Sequence, residues 1–128
     1  MAEMSNYLEN ALINATLRNT SYTSPTTTYL ALYTSDPTDA DTGTEVTGGS
    51  YVRQPITFGA PSNGTSTNSS AIEFPQATAD WGTITYVGIR DAVTSGNLLF
   101  HTALDASKVI NNGDIFKITT GNLSVQLS

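Results

Sequence analysis

The chain has no cysteine, one histidine and only five basic residues among its 128 positions. Without cysteine there is neither a disulfide framework nor a thiolate metal site, and nothing ties the chain to an oxidising compartment. Charged residues make up only 12% and His101 is the sole imidazole, so the raw material of a catalytic or metal site is scarce. Five scattered cations in a chain of net charge −6 and pI near 4.3 form no phosphate-neutralising patch, which argues against nucleic acid as the main partner. No apolar run approaches the roughly eighteen residues that span a bilayer. The opening MAEMSNYLEN lacks the basic and apolar regions of an export signal. The expectation is a protein made and used without export or membrane insertion.

What is abundant is hydroxyl. The chain carries 21 threonines and 13 serines. Threonine suits the exposed face of a strand, since its branched Cβ fits the pleat while its hydroxyl meets water. The composition therefore points to all-β architecture in one domain spanning residues 1–128. Residues 1–20 form an N-terminal helix or arm and residues 28–128 the β domain. In the first part, Leu8, Leu12 and Ala15 fall at i, i+4 and i+7, with Ile13 and Leu17 widening the stripe, and Ser5 stands where an N-cap belongs. This predicts one short amphipathic helix over Ser5 to Arg18. So short a helix needs a surface to lie on, either its own β domain or another subunit.

TYLALYT at Thr28 to Thr34 is apolar on both faces and predicts a central strand buried on both sides. Tyr51 to Phe58 is a further strand in which Pro55 lacks a ladder donor, so it belongs at an edge or a bulge. Pro61 to Ser70 reads as a polar loop with a turn at Asn63-Gly64, and Ala71 to Phe74 as a short strand. Gly82 to Arg90 and Asn97 to Ala103 read as a hairpin. Lys108 to Ile110 and Asp114 to Thr119 are expected to pair across Asn111-Asn112-Gly113, ahead of an alternating final strand, Asn122 to Leu127. Seven or eight short strands of this kind predict an antiparallel sandwich or barrel with one N-terminal amphipathic helix.

The acidic loop places Asp36, Asp39, Asp41 and Glu45 around Gly43, weak candidates for a calcium-type cation because the spacing is not that of an EF-hand. A solvated turn is the plainer reading, and no metal or other cofactor is expected. His101 lies mid-strand beside Phe100 as a hydrogen-bonded structural imidazole. Glu73, Asp80 and Asp91 could supply a carboxylate pair for glycoside hydrolysis, as the acids of any acidic β domain could. Tyr29, Tyr33, Tyr51, Tyr86 and Trp81 fit either the core or an aromatic contact platform. Five Asn-x-Ser/Thr sequons start at Asn14, Asn19, Asn63, Asn68 and Asn122 and follow from composition. No catalytic residue is predicted. Interface candidates are Tyr7, Leu8 and Leu12 on the helix, Tyr51 and Arg53 at the expected edge, and Trp81.

The runs SNYLENALINATLRNTSYTSP, TYLALYTSDPTDADTGTEV and GGSYVRQPITFGAPSNGTSTNSSAIEFP, continued by ATADWGTITYVGIRDA, GNLLFHTAL and GDIFKITTGNLSVQL, resemble a family of small tailed-bacteriophage virion proteins usually labelled tail-fibre-like. The resemblance covers nearly the whole chain and implies a multicopy, non-enzymatic particle component with no catalytic residues to carry over. Because the chain lacks the coiled coil, β-helix or repeats of an elongated shaft, the leading expectation is a capsid decoration (cement) subunit. The alternative is a tail-associated fibre or adhesin subunit that binds a host receptor. Its partners would be the major capsid or tail protein and other copies of itself in a trimer or dimer, with no nucleic acid and no membrane. The setting is the virion, assembled in the host cytoplasm. Removal of Met1 to Arg18 is expected to leave a folded β domain that no longer joins the particle.

Overall fold

In the computed structural model, which describes residues 2–127, the chain opens with a short strand β1 (Glu3–Met4) and a helix α1 (Asn6–Leu17). The strands that follow are β2 (Thr28–Tyr33), β3 (Gln54–Ile56), β4 (Thr65–Thr67), β5 (Ile72–Glu73), β6 (Gly82–Arg90), β7 (Leu98–Ile110), β8 (Lys117–Ile118) and β9 (Ser124–Gln126). Five of them form one antiparallel sheet in the order β1-β7-β6-β2-β3, and β4–β9 and β5–β8 form two small antiparallel ladders. The all-β, sandwich-like architecture with one N-terminal helix is as expected.

The core lies between the five-stranded sheet and the small ladders. Leu30, Leu32, Val87 and Ile89 from the sheet meet Ile72, Phe74, Phe116 and Leu123 from the other side. Phe74 packs edge-on against both Trp81 and Phe116, with ring centroids 6.3 and 5.7 Å apart. Leu30, Ala31, Leu32 and Tyr33 are all buried, so β2 is covered on both faces. Leu30 and Leu32 enter this core, whereas the side chains of Ala31 and Tyr33 face the opposite side of the sheet. Pro55 sits in β3, at the sheet edge, where its missing N–H costs no ladder bond.

Ser5 caps α1: its backbone is extended and its Oγ accepts a hydrogen bond from the Leu8 amide while donating to the Leu98 carbonyl. Leu8 is buried, Leu12 half-buried, and α1 packs on β7. Ile13 and Leu17 do not widen the buried stripe; they are 52% and 79% exposed. At about 100° per residue they lie across the helix from Leu8 and Ala15. Nor is the N-terminal segment a detachable arm, because β1 pairs with β7, Ala2 is buried, and the Ser5 amide donates to the Leu99 carbonyl.

Three strand expectations need correction. The run Tyr51 to Phe58 is strand only over Gln54–Ile56, since Tyr51 and Arg53 turn inward to bond the loop before them. The polar stretch Pro61 to Ser70 contains β4: Asn63 and Gly64 both take positive φ, and Ser62 and Thr65 exchange backbone hydrogen bonds across a tight turn. Finally, Lys108 to Ile110 does not pair across Asn111-Asn112-Gly113. It is the far end of β7, opposite Gly82 to Ile84, while Lys117 pairs with Glu73. The turn does form, with the Asp114 amide donating to the Asn111 carbonyl, but it links different sheets. β7 stays continuous through a wide bulge. Register passes from Tyr86–Ala103 to Ile84–Lys108, leaving Leu104 to Ser107 opposite Thr85 alone.

Candidate functional site

The second face of the main sheet is where Glu3, Asp36, Asp39, Asp41, Glu45, Arg53, Arg90 and the single histidine converge. Ala31 lies beside Gly88, and Gly88 beside His101, along one row of the ladder. Gly88 is required there: a Cβ would come within 2.8 Å of both Tyr33 and Leu98 side chains. Over this row lies a strap, Ser35 to Glu45, which returns so closely on itself that a Cβ on Gly43 would stand 2.6 Å from Pro37 Cα.

Two buried arginines fasten the strap. Arg90, at the end of β6, donates to both Asp41 carboxylate oxygens at 2.8 and 2.9 Å, to the Tyr33 hydroxyl at 2.9 Å and to the Gly96 carbonyl at 3.0 Å. Arg53 holds both Glu45 oxygens at 2.8 Å and also donates to the carbonyls of Ala92 and Ser95. Each arginine therefore ties the strap to the β6–β7 turn. Bidentate geometry and burial make these pairs stronger than surface ion pairs. Burial opposes the charge on Arg90, but the bonds to Asp41 and Tyr33 outweigh it and its pKa rises. Glu45 behaves likewise: burial pushes its carboxyl up, the bonds from Arg53 and Tyr51 pull harder, and the net shift is downward. Burial, and then its bond to Glu45 at 2.6 Å, push the Tyr51 hydroxyl well above its ordinary range.

His101 closes the strap's third attachment. Its Nε2 lies 2.8 Å from Asp39 Oδ1 and 3.9 Å from Glu3 Oε2, and its Nδ1 lies 3.9 Å from Asp36 Oδ1. The acidic loop is largely exposed, as a solvated turn would be, but its carboxylates are also engaged by the arginines and the histidine beneath it. Of its four carboxylates, Asp41 and Glu45 are taken by arginines, and Asp36 and Asp39 converge on the histidine. The only group of metal-ligating side chains close enough to share an ion, among the described residues, is Glu3, Asp39 and His101.

The interface candidates part company here. Tyr7 is 42% exposed, and Leu12 is half-buried on the helix. Leu8, Arg53 and Trp81 are buried within the subunit and offer no contact surface, because each already has internal partners. Trp81 Nε1 donates to the Gly49 carbonyl, and its ring packs edge-on against half-buried Tyr51, whose ring stacks on Phe74. Tyr33 is buried as well, with Tyr29 and Tyr86 half-buried, so the five aromatics form no exposed platform. Glu73 faces Lys117 at 3.8 Å, Asp80 accepts from the Asn112 amide, and Asp91 accepts from Asn97 in the hairpin turn. These three carboxylates stand at separate structural posts. The sequon at Asn68 is fully buried, its side chain bonded to Ser70, Thr119 and Leu123.

Sequence reasoning missed the arginines as organisers and the cleft beside the bulge of β7. The first had a signal: Arg53 and Arg90 each sit inside strand-like apolar runs, and an arginine carried into a β core must find a carboxylate. The cleft, of about 810 Å³, lies between the bulged half of β7 and β8–β9. Leu104, Phe116, Ile118 and Leu123 line it together with both lysines of the chain, Lys108 and Lys117. It depends on the bulge and has no local sequence signature.

Comparison with known proteins supplies the context for this geometry. Residues 3–126 match the family described as podophage GP4 fiber I protein gp80. The chain belongs to that family. It is a structural component of a tailed-phage virion, of fibre type. No curated protein matches it. The outer face of α1 leaves Tyr7, Ile13 and Leu17 exposed, and the cleft carries both lysines. No helix among the described residues is long and apolar enough to cross a membrane.

Proposed function

We propose that the chain is a non-enzymatic, fibre-associated subunit of a podophage particle that acts by binding neighbouring virion proteins in many copies. The observation that carries this reading is the fiber I family match over residues 3–126, which favours the tail-associated alternative over capsid decoration. The geometry supports it. The chemistry-bearing side chains are spent on fastening the strap, and the carboxylates that could have formed a hydrolytic pair are apart. A rigid β module with exposed apolar residues on α1 suits a joint or terminal module in a larger fibre rather than a shaft. Copies of the chain associate as a trimer or dimer, and many weak contacts add through multivalency. Assembly takes place in the host cytoplasm, without membrane or nucleic acid as partner.

The test is immunogold labelling of intact particles with an antibody against this chain, viewed by electron microscopy. Gold confined to the tail or its fibres is the expected result. Gold scattered over the head would overturn the fibre reading in favour of shell decoration.

A further inference from the structure

We propose that Glu3, Asp39 and His101 form a binding site for a divalent cation of the zinc class. The three come from separate parts of the chain. Glu3 and His101 are cross-strand partners in β1 and β7 and so share one face of the ladder, and Asp39 descends from the strap. Their ligand atoms all lie within 4.8 Å of one another. The imidazole is 4% exposed and forms the floor, while Glu3 and Asp39 are 73% and 46% exposed and form an open mouth. The backbone is pinned on both sides, the Asn6 amide donating to the Asp39 carbonyl and the Ser5 amide to the Leu99 carbonyl.

Charge argues in the same direction. Glu3, Asp36 and Asp39 surround one imidazole, which brings at most a single positive charge, and Arg53 and Arg90 are committed to Glu45 and Asp41. A divalent ion neutralises that surplus. An imidazole nitrogen beside two carboxylates suits zinc and its first-row neighbours better than calcium or magnesium, which favour all-oxygen shells. Tetrahedral bonds of about 2.1 Å place ligand atoms about 3.4 Å apart. The His101–Asp39 contact of 2.8 Å would open slightly and the Glu3 distance of 3.9 Å would close, with water in the fourth position. Nε2 would then present its lone pair and Nδ1 would carry the proton toward Asp36, 3.9 Å away, the usual carboxylate–histidine–metal arrangement. Such an ion would tie the N-terminus, the strap and β7 together.

The experiment uses the full, untagged chain washed with chelator. Titration calorimetry with zinc chloride at neutral pH should show one site. A hundredfold excess of zinc over its Kd should raise the unfolding midpoint by about 5 °C or more, whereas magnesium should not. Glu3→Ala and Asp39→Ala should each weaken binding by about tenfold or more, and Glu73→Ala should leave it unchanged. Because His101 is the only histidine, its ring resonances in the unaltered protein give a readout that does not depend on variants folding. They should shift on zinc addition and settle as the Nδ1-protonated form. An absence of binding up to about 1 mM zinc, unmoved imidazole signals, or binding that survives Glu3→Ala would each overturn the site.

Discussion

Arg53 has a side chain only 8% exposed, so removing its charge partner strands a cation where water barely reaches. The same holds for Glu45 when Arg53 is removed. Breaking a buried pair from one side costs about 3 kcal/mol or more, whereas replacing both partners by apolar groups recovers part of the loss. Arg53→Met should therefore lower stability by about 3 kcal/mol in denaturant unfolding, and adding Glu45→Met should restore at least about 1 kcal/mol. A single-variant cost below about 1 kcal/mol would show that the strap does not need this clamp. Acid tests the same pair. The Glu45 carboxyl is held below its ordinary value of 4.5 in the folded state. Its contribution is thus complete above that pH and is lost as pH falls through the lower folded value. The unfolding midpoint of the native chain should fall more steeply below pH 4.5 than that of Glu45→Gln, as followed by thermal scans across pH.

The helix and its cap are an element-scale device in which local signal and tertiary contact coincide. Ser5 caps α1 and bonds Leu98, 93 positions away, so one hydroxyl fixes both the start of the helix and its place on the sheet. Leu8, 5% exposed, fills the contact, whereas Leu17 is 79% exposed. Leu8→Ala should cost about 3 kcal/mol and Leu17→Ala less than about 0.5 kcal/mol in equilibrium unfolding. Equal costs would mean that α1 does not lie on β7 as described. Removal of residues 1–18 takes away β1, the cap and Leu8 together, so the truncated chain should unfold at lower temperature rather than persist as an intact β domain.

For the whole molecule, stability should be graded along the main sheet. Val87 to Ile89 are paired on both sides and buried. Leu30 to Leu32, equally buried, pair with them on one side, while the other side is closed by β3 at Leu30 and by hydrogen bonds of Leu32 with Val46 and Tyr51. Residues 104–107 form the bulge, and residues 19–27 run without regular structure, mostly exposed. Native-state hydrogen exchange read by mass spectrometry should find the slowest amides in β2 and the centre of β6, and the fastest in those two segments. Protection at residues 104–107 equal to that in β6 would contradict the bulge.

The sequence by itself determined the elements whose signal is local. The hydroxyl-rich, cysteine-free composition implied β architecture, the two-sided run at Thr28 to Thr34 became a strand buried on both faces, Pro55 marked an edge, and Ser5 marked the start of a helix. Gly82 to Arg90 was legible to the residue. The resemblance in its motifs also led to the virion family. Only the tertiary structure decided which strands meet. The partners of β1, β4 and β5 lie far along the chain, and distant pairings leave no trace in short-range periodicity. It also decided what the acidic loop is. Spacing within the loop could not reveal that Asp41 would find Arg90 and Asp39 would find His101, because those contacts are made 49 and 62 residues away in sequence.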